Sequence, residues 1–315
     1  MKTVCTLTMN PTIDKSSSID HVVPERKLRC NAPTYEPGGG GINVSKAIRN
    51  LGGDAMAVFP AGGHAGEKLK ELLEMGKIRH THIGIQGWTR ENLAIHETST
   101  GQQYRFGMPG PTLKDEEWQR CLDEFFSLSP TPEYAVLSGS LPPGVPDDFY
   151  AKAAQKAKKA GIRMILDTSG KPLPEALQEG VFLIKPNLRE LQSITGKEFE
   201  NEEQQEQMAR ELVEKGKAEV VVVSLGAAGA LAVWKGNTHR LRAPTVSIKS
   251  KVGAGDSMVA GMTLGFARDM SMLDAIRFGM ACGAAAVMTP GSELCRKEDA
   301  ERLYAQLSKN DLTER

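Results

Sequence analysis

The sequence predicts an α/β protein built on a parallel sheet, with a smaller β-structure set outside it. Three observations carry this. From Asp115 onward strand and helix patterns alternate, and strands separated by helices require right-handed crossovers and hence a parallel sheet. The run Val220-Val-Val-Val223 is apolar and β-branched throughout, as expected of a strand covered on both faces. Near the N-terminus, short alternating stretches with polar flanks follow directly on a core strand, which places them in a separate β-flap. At 315 residues the chain can bury a large core, as one α/β domain or as one with a small appendage.

In chain order, residues 4–9 read as a buried strand, and Asn10-Pro-Thr-Ile-Asp14 turns the chain. Residues 16–23 and 27–35 are expected as short strands of the flap. Residues 92–98 and 103–106 complete it around Ser-Thr-Gly101. Between these come a helix over 44–51, a strand over 57–59 and a helix over 67–75, with His80 and His82 in a surface loop. Beyond Asp115, helices over 116–126, 147–159, 188–195 and 202–215 alternate with strands over 134–137, 163–166, 181–184 and 220–223. A further strand spans 230–234, and helices follow at 258–266 and 276–288.

Composition narrows the partners. Lys+Arg and Asp+Glu both number 39, so the zero net charge argues against wholesale attraction to nucleic acid or an anionic membrane, though not against a local basic pocket. Five scattered cysteines without a C-x-x-C suit reduced thiols and a cytoplasmic protein. The N-terminus lacks a signal-peptide profile, and the apolar helix near 276–288 is too short to span a bilayer and contains Arg277. No H-E-x-x-H spacing points to a metal centre.

The strongest functional signal is Lys251-Val-Gly-Ala-Gly-Asp-Ser257. Gly253 and Gly255 clear the backbone for close approach by a ligand. The amides that follow open a helix and have no partner within it, and such a helix start attracts anions through those donors and its dipole. A carboxylate beside an anion cradle is costly unless its charge has a use. Asp256 is therefore read as the base that deprotonates a nucleophile attacking an anion held by Gly253, Ala254 and Gly255: a phosphoryl-transfer site. A turn with an Asp N-cap has the same form, so the motif gains its weight from the pieces that accompany it.

Residues 38–41 are four successive glycines, costly to order if they made only a turn. They are read as bare backbone at Gly38 and Gly39 against which a sugar ring lies, with Asn43 and Asp14 bonding its hydroxyls. Further polar groups fall just after strands: Ser138-Gly139, Asp167, Lys185-Pro-Asn187 and Ser224-Leu-Gly226. Parallel sheets place their ligand crevice at that edge. Lys27, Arg29, Arg90 and Arg105 lie in the flap or at its root; singly they are solvated charges, and together they suit a substrate phosphate. Asn187 and Glu190 stand three apart on one helix face and offer oxygen ligands for Mg²⁺ through water. The same spacing makes a capping box. The small residues of Ser224-Leu-Gly-Ala-Ala-Gly229 admit the ribose or phosphates of a nucleotide, or form a tight hairpin. No P-loop, no H-R-D or D-F-G, and no G-x-G-x-x-G after the first strand is present.

Assembled, these motifs resemble the ribokinase-like (PfkB-type) carbohydrate kinases over nearly the whole length. The likeness is greatest to the members that phosphorylate fructose 6-phosphate, through Lys27-Leu-Arg-Cys30, Glu36-Pro-Gly-Gly-Gly-Gly-Ile-Asn43, Trp88-Thr-Arg90, Tyr104-Arg-Phe106, Leu137-Ser-Gly-Ser-Leu-Pro-Pro-Gly-Val145 and Val252-Gly-Ala-Gly-Asp-Ser-Met258. The resemblance implies a single domain over 1–315: a doubly wound, mostly parallel sheet flanked by helices, with a small β-sheet lid from segments at about 15–36 and 90–107. It implies ATP with Mg²⁺ near Glu190, and a homodimer joined through the lids. It also implies nucleotide contacts at Lys185, Asn187, Ser224, Gly226, Gly229, Met280 and Ala284, and transfer to the 1-hydroxyl of fructose 6-phosphate with Asp256 as base. A K⁺ site beside the loop would use Ser250, Val252, Ala286 and Gly291. Lys251 stands where the family usually has a small hydroxyl residue, and Thr289 and Glu293 also depart, which bears on K⁺ but not on the transfer chemistry. Kinases for tagatose 6-phosphate or fructose 1-phosphate would share these motifs, and a non-catalytic sugar-phosphate-binding regulator is the distant rival.

Overall fold

The computed structural model describes residues 1–291 and 293–313. The chain opens with β1 (Val4–Leu7), β2 (Thr12–Ile19), β3 (Thr34–Gly38), α1 (Gly40–Asn50), β4 (Met56–Ala61), α2 (Gly63–Met75) and β5 (His80–Gly84). It continues through β6 (Arg90–Glu97), β7 (Gln103–Phe106), α3 (Asp115–Phe126), β8 (Tyr134–Ser138), α4 (Phe149–Ala160), β9 (Arg163–Asp167), α5 (Pro172–Ala176) and β10 (Val181–Ile184). Then come α6 (Leu188–Thr195), α7 (Glu202–Glu214), β11 (Ala218–Ser224), β12 (Ala230–Trp234), β13 (Asn237–Leu241), α8 (Ala254–Ala267), α9 (Met272–Val287) and α10 (Lys297–Thr313).

Nine strands form one sheet in the order β13-β12-β11-β10-β9-β8-β1-β4-β5. Seven of them run parallel, and the β12–β13 hairpin adds an antiparallel edge. From β1 the chain winds outward to β5, then returns to β8 on the other side, so the winding reverses beside β1. A doubly wound sheet opens its ligand crevice at that switch point. Alternation along the strands sorts side chains into two layers. Val4, Val136, Ile165, Val220 and Val222 face α1, α8 and α9. Leu7, Leu137, Leu166, Val221 and Val223 face α3, α4 and α7. The valine run of β11 is thus covered on both faces, as its composition predicted. Each such fully buried side chain contributes about 1.5–3 kcal/mol.

Helix α8 is buried along almost its whole length after the first turn. Its backbone meets that of α9 directly: a Cβ on Gly261 would come within 2.8 Å of the Gly279 Cα, and one on Gly279 within 2.7 Å of the Met258 oxygen. This contact fixes where the N-terminus of α8 points.

A second sheet, β3-β2-β6-β7, stands outside the core. It is the predicted lid, though its first hairpin differs from expectation. Residues 27–33 form no strand, and β3 begins only at Thr34, because the alternation seen there belongs to a polar, exposed loop. Helix α1 starts at Gly40 rather than Val44, since Thr8 Oγ1, just past the end of β1, accepts the Ile42 amide at 2.8 Å and caps the helix from outside. His80 and His82 lie on edge strand β5, not in a loop. Its short, polar composition hid a strand that pairing with β4 stabilises.

Candidate active site

At the start of α8, Gly253 adopts a left-handed conformation with φ 73°, which a side chain would strain, and a Cβ there would also overlap Leu294. The amides of Ala254, Gly255 and Asp256 precede the first bond within the helix, Ser257 N to Gly253 O at 2.8 Å. They are the free donors expected of a helix start.

Asp256 sits in that first turn. Its Oδ2 accepts from Asn43 Nδ2 at 2.9 Å. Burial pushes its pKa up to about 6, and the negative charge of Asp167 adds to this; the Asn43 bond and the cations Lys185 and Lys46 work the other way. Lys185 is 7% exposed and pairs with Asp167 at 3.3 Å. Burial opposes its charge, but Asp167, Glu190 and Asp256 outweigh that and hold its pKa above the ordinary lysine value. Its ammonium lies directly beneath the loop, 3.4 Å from where a Gly255 Cβ would stand. Phosphoryl transfer wants this combination: a carboxylate near neutrality, unpartnered amides and a buried cation under them.

Two cavities meet at the loop. The first, of about 500 Å³, is lined by Ser224, Gly226, Gly229, Met280 and Ala284, all predicted for the nucleotide, together with Ala254 and Gly255. Its other wall, residues 243–246 and Ile248, was not legible in the sequence because the segment has no periodic pattern. The second, of about 270 Å³, lies under the lid and is lined by Asp14, Asn92 and Arg105, with Val252 and Gly291 closing its floor. Asn92 was also missed as a site residue: its Nδ2 donates to Asp14 Oδ1 at 3.0 Å and its Oδ1 accepts the Met108 amide at 3.0 Å. Burial raises the Asp14 pKa, against Asn92, Lys46, Arg90 and Arg105. Lys46 is a third omission, although its place one turn after Asn43 on α1 was a usable signal.

Several predicted residues take other places. Asn43 Nδ2 bonds the Asp256 carboxylate, and its Oδ1 is buried without a hydrogen-bond partner among the described residues. A Cβ on Gly38 would overlap the Asp14 carboxylate, and one on Gly40 the Ser138 hydroxyl. The glycines therefore let α1 and β3 close on the site; Gly38 and Gly39 do not line the cavity under the lid. Gly139 O accepts Tyr150 OH and Thr168 Oγ1, each at 2.9 Å, so Ser138 and Gly139 brace the sheet edge. Arg90 donates to the carbonyls of Met108 at 2.7 Å and Asn10 at 2.9 Å, tying the lid's root. Lys27 and Arg29 lie in the exposed loop between β2 and β3 and line neither cavity. The four cations therefore do not converge within one chain.

The remaining expectations concern metals. Asn187 Oδ1 accepts the Glu190 amide at 2.9 Å and Glu190 Oε2 accepts the Asn187 amide at 2.8 Å, so the capping box forms. Around the supposed K⁺ position, Ser250 Oγ donates to Gly291 O at 3.0 Å and accepts from Val252 N at 3.1 Å. Thr289 Oγ1 stands 2.8 Å from Ala286 O and 2.9 Å from Leu294 O, which share its one proton.

Comparison with known proteins agrees with this geometry. Residues 4–299 match the pfkB family carbohydrate kinase profile. ATP-dependent 6-phosphofructokinase isozyme 2 of Mycobacterium tuberculosis is 44% identical over 96% of this chain and 88% of its own length. The Escherichia coli isozyme 2 is 43% identical over 98% of this chain and 100% of its own. Crystal structures of phosphofructokinase-2 from Escherichia coli superpose closely. The complex with potassium gives a TM-score of 0.94 at 43% identity, and the complex with fructose-6-phosphate 0.92 at 42%, each covering 98% of this chain and 100% of the other. The tetrameric inhibited form gives 0.93 at 43%, over the same shares; that assembly is larger than the dimer the resemblance implied. A doubly wound sheet, a lid, an acidic residue at a glycine-lined helix start and a profile match over residues 4–299 lead to one assignment: the chain belongs to the pfkB family of carbohydrate kinases.

Proposed function

We propose that this protein transfers the γ-phosphoryl group of ATP to the 1-hydroxyl of fructose 6-phosphate, giving fructose 1,6-bisphosphate and ADP. The observation that carries this is the position of one loop between two cavities: Val252 lines the lid cavity, Ala254 and Gly255 line the nucleotide cavity, and Asp256 follows at once. Asp256 takes the proton of the sugar hydroxyl as its oxygen bonds to phosphorus, and the bond to the ADP oxygen breaks. The amides at the start of α8 receive the oxygens of the group in flight. Lys185 adds positive charge from below. A positioned base contributes about 10²–10⁴-fold, and one preorganised donor roughly 3–4 kcal/mol.

Among the described residues no cluster of three His, Cys, Asp or Glu cages a metal. That suits Mg²⁺, which keeps much of its water and is carried on substrate phosphates with one or two carboxylates; Glu190, beside Lys185, would hold it, and the ion would neutralise phosphate charge. Asp14, Asn92 and Arg105 orient the sugar phosphate under the lid. A coupled ADP assay with fructose 6-phosphate, tagatose 6-phosphate, fructose 1-phosphate and no sugar tests the reading. Turnover should be fastest with fructose 6-phosphate; preference for another sugar would reassign the substrate, and no turnover with any would leave a regulator.

The lid supports a second part of the reading, a dimer. Strand register puts Tyr35, Lys15, Leu93 and Phe106 in one row across its four strands, on the face opposite Asp14, Asn92 and Arg105. Tyr35 and Phe106 are 40% and 50% exposed. Two lids stacked on these faces would cover them and bring the loop cations of each chain near its neighbour. Phe106→Asp should shift the sedimentation coefficient toward the monomer; an unchanged value would place the interface elsewhere.

A further inference from the structure

The nucleotide cavity is lined by apolar and small polar groups with one exception. Lys251 is the only charged residue among those lining it, and the side chain is exposed with no hydrogen-bond or ion-pair partner among the described residues. A neutral base against Pro244, Val246, Met280 and Ala284 has no use for a charge there. A polyphosphate does, and Lys251 comes two residues ahead of the Gly253 cap, where the unpartnered amides of α8 begin. Ammonium and amides thus direct positive potential at the same space.

The residues flanking Lys251 bear on the same point. Ser250 and Val252 belong to the set implied for a monovalent cation, and the Escherichia coli relative has been solved with potassium. In this chain, two carbonyls of that set lie beside hydroxyls, Gly291 O accepting from Ser250 at 3.0 Å and Ala286 O standing 2.8 Å from Thr289 Oγ1. A tethered cation, Lys251, stands in the same loop.

We propose that Lys251 binds the polyphosphate of the donor nucleotide and supplies, covalently attached, the positive charge that a bound monovalent cation would otherwise bring to this loop. It rests on the kinase reading above.

The test is calorimetric. Binding of Mg²⁺-adenylyl imidodiphosphate and of adenosine is measured in KCl and in tetramethylammonium chloride at equal ionic strength, for the wild type, Lys251→Thr and Lys251→Arg. Wild-type affinity for the triphosphate analogue should differ less than about twofold between the salts. Lys251→Thr should lose roughly tenfold or more in tetramethylammonium, the scale of one charge-assisted bond, and recover part of it in K⁺. Lys251→Arg should stay within about threefold of wild type, because the charge is retained. Adenosine, which has no phosphate, should bind all three alike. Wild-type-like binding of the analogue by Lys251→Thr, an equal loss for adenosine, or a K⁺ dependence of the wild type as large as the variant's would overturn the proposal. A wild type that binds neither ligand would overturn the kinase reading itself, and the proposal with it.

Discussion

On the body side of the cleft, Asp256 holds a bond from Asn43 and lies beside the Lys185–Asp167 pair; on the lid side, Asp14 and Arg105 line an open cavity while Lys27 and Arg29 stand in an exposed loop outside it. The difference follows from what surrounds each. Asp256 opens a helix locked to α9 through Gly261 and Gly279, so its geometry is set by the core. The lid is a four-stranded sheet outside the core, and its polar groups Asp14 and Asn92 are fixed to one another. The groups around Asp256 are therefore preorganised in the folded chain, whereas the cations proposed for the sugar's phosphate are not gathered within it.

If that contrast holds, substitutions in the two regions separate kinetically. The largest effect is expected for Asp256→Asn, which keeps the shape but removes the base. Its kcat should fall by about 10²–10⁴-fold with both KM values within a few-fold of wild type. Near-wild-type turnover would break the assignment. Arg105→Ala should do the reverse, raising the KM for the sugar phosphate roughly 10–100-fold, as loss of a charge-assisted contact implies, with little change in kcat. A fall in kcat alone would place Arg105 with the chemistry instead. Asn43→Ala sharpens the comparison most finely. Removing its bond, which lowers the Asp256 pKa, should move the acid limb of kcat/KM above about 6 and cost only ~10-fold at neutral pH, where one neutral hydrogen bond is at stake.

The same contrast explains what the sequence disclosed. The doubly wound core was legible because β-branched runs such as 220–223 and the spacing of α3 through β11 are dictated by burial on two faces. The glycine-lined start of α8 was legible only in company: a turn with an Asp N-cap has the same form, and the polar groups just after the strands gave the motif its weight. The lid was harder. Residues 27–33 alternate like a strand without pairing as one, and whether four cations converge depends on lid position, which no local pattern encodes. Asn43 was recognised as a site residue, but its bond to Asp256 was not legible, because the contact spans 213 positions. Asn92 and Lys46 escaped because each acts through a neighbour, Asn92 by holding Asp14 and Lys46 by its charge near the carboxylates of Glu36, Asp14 and Asp256.

The claim on which the rest depends is that the Asp256 carboxylate is the base. Its pKa is raised to about 6, and only the ionised form accepts a proton, so activity should be lost as pH falls through that value. The most direct measurement is the pH dependence of wild-type kcat/KM for fructose 6-phosphate at saturating Mg²⁺-ATP. A profile flat between about pH 7 and 8 that drops tenfold per pH unit below about 6, with that limb absent from the residual activity of Asp256→Asn, is the expected result. A profile that stays level down to pH 4.5, or the same limb in the variant, would contradict the account.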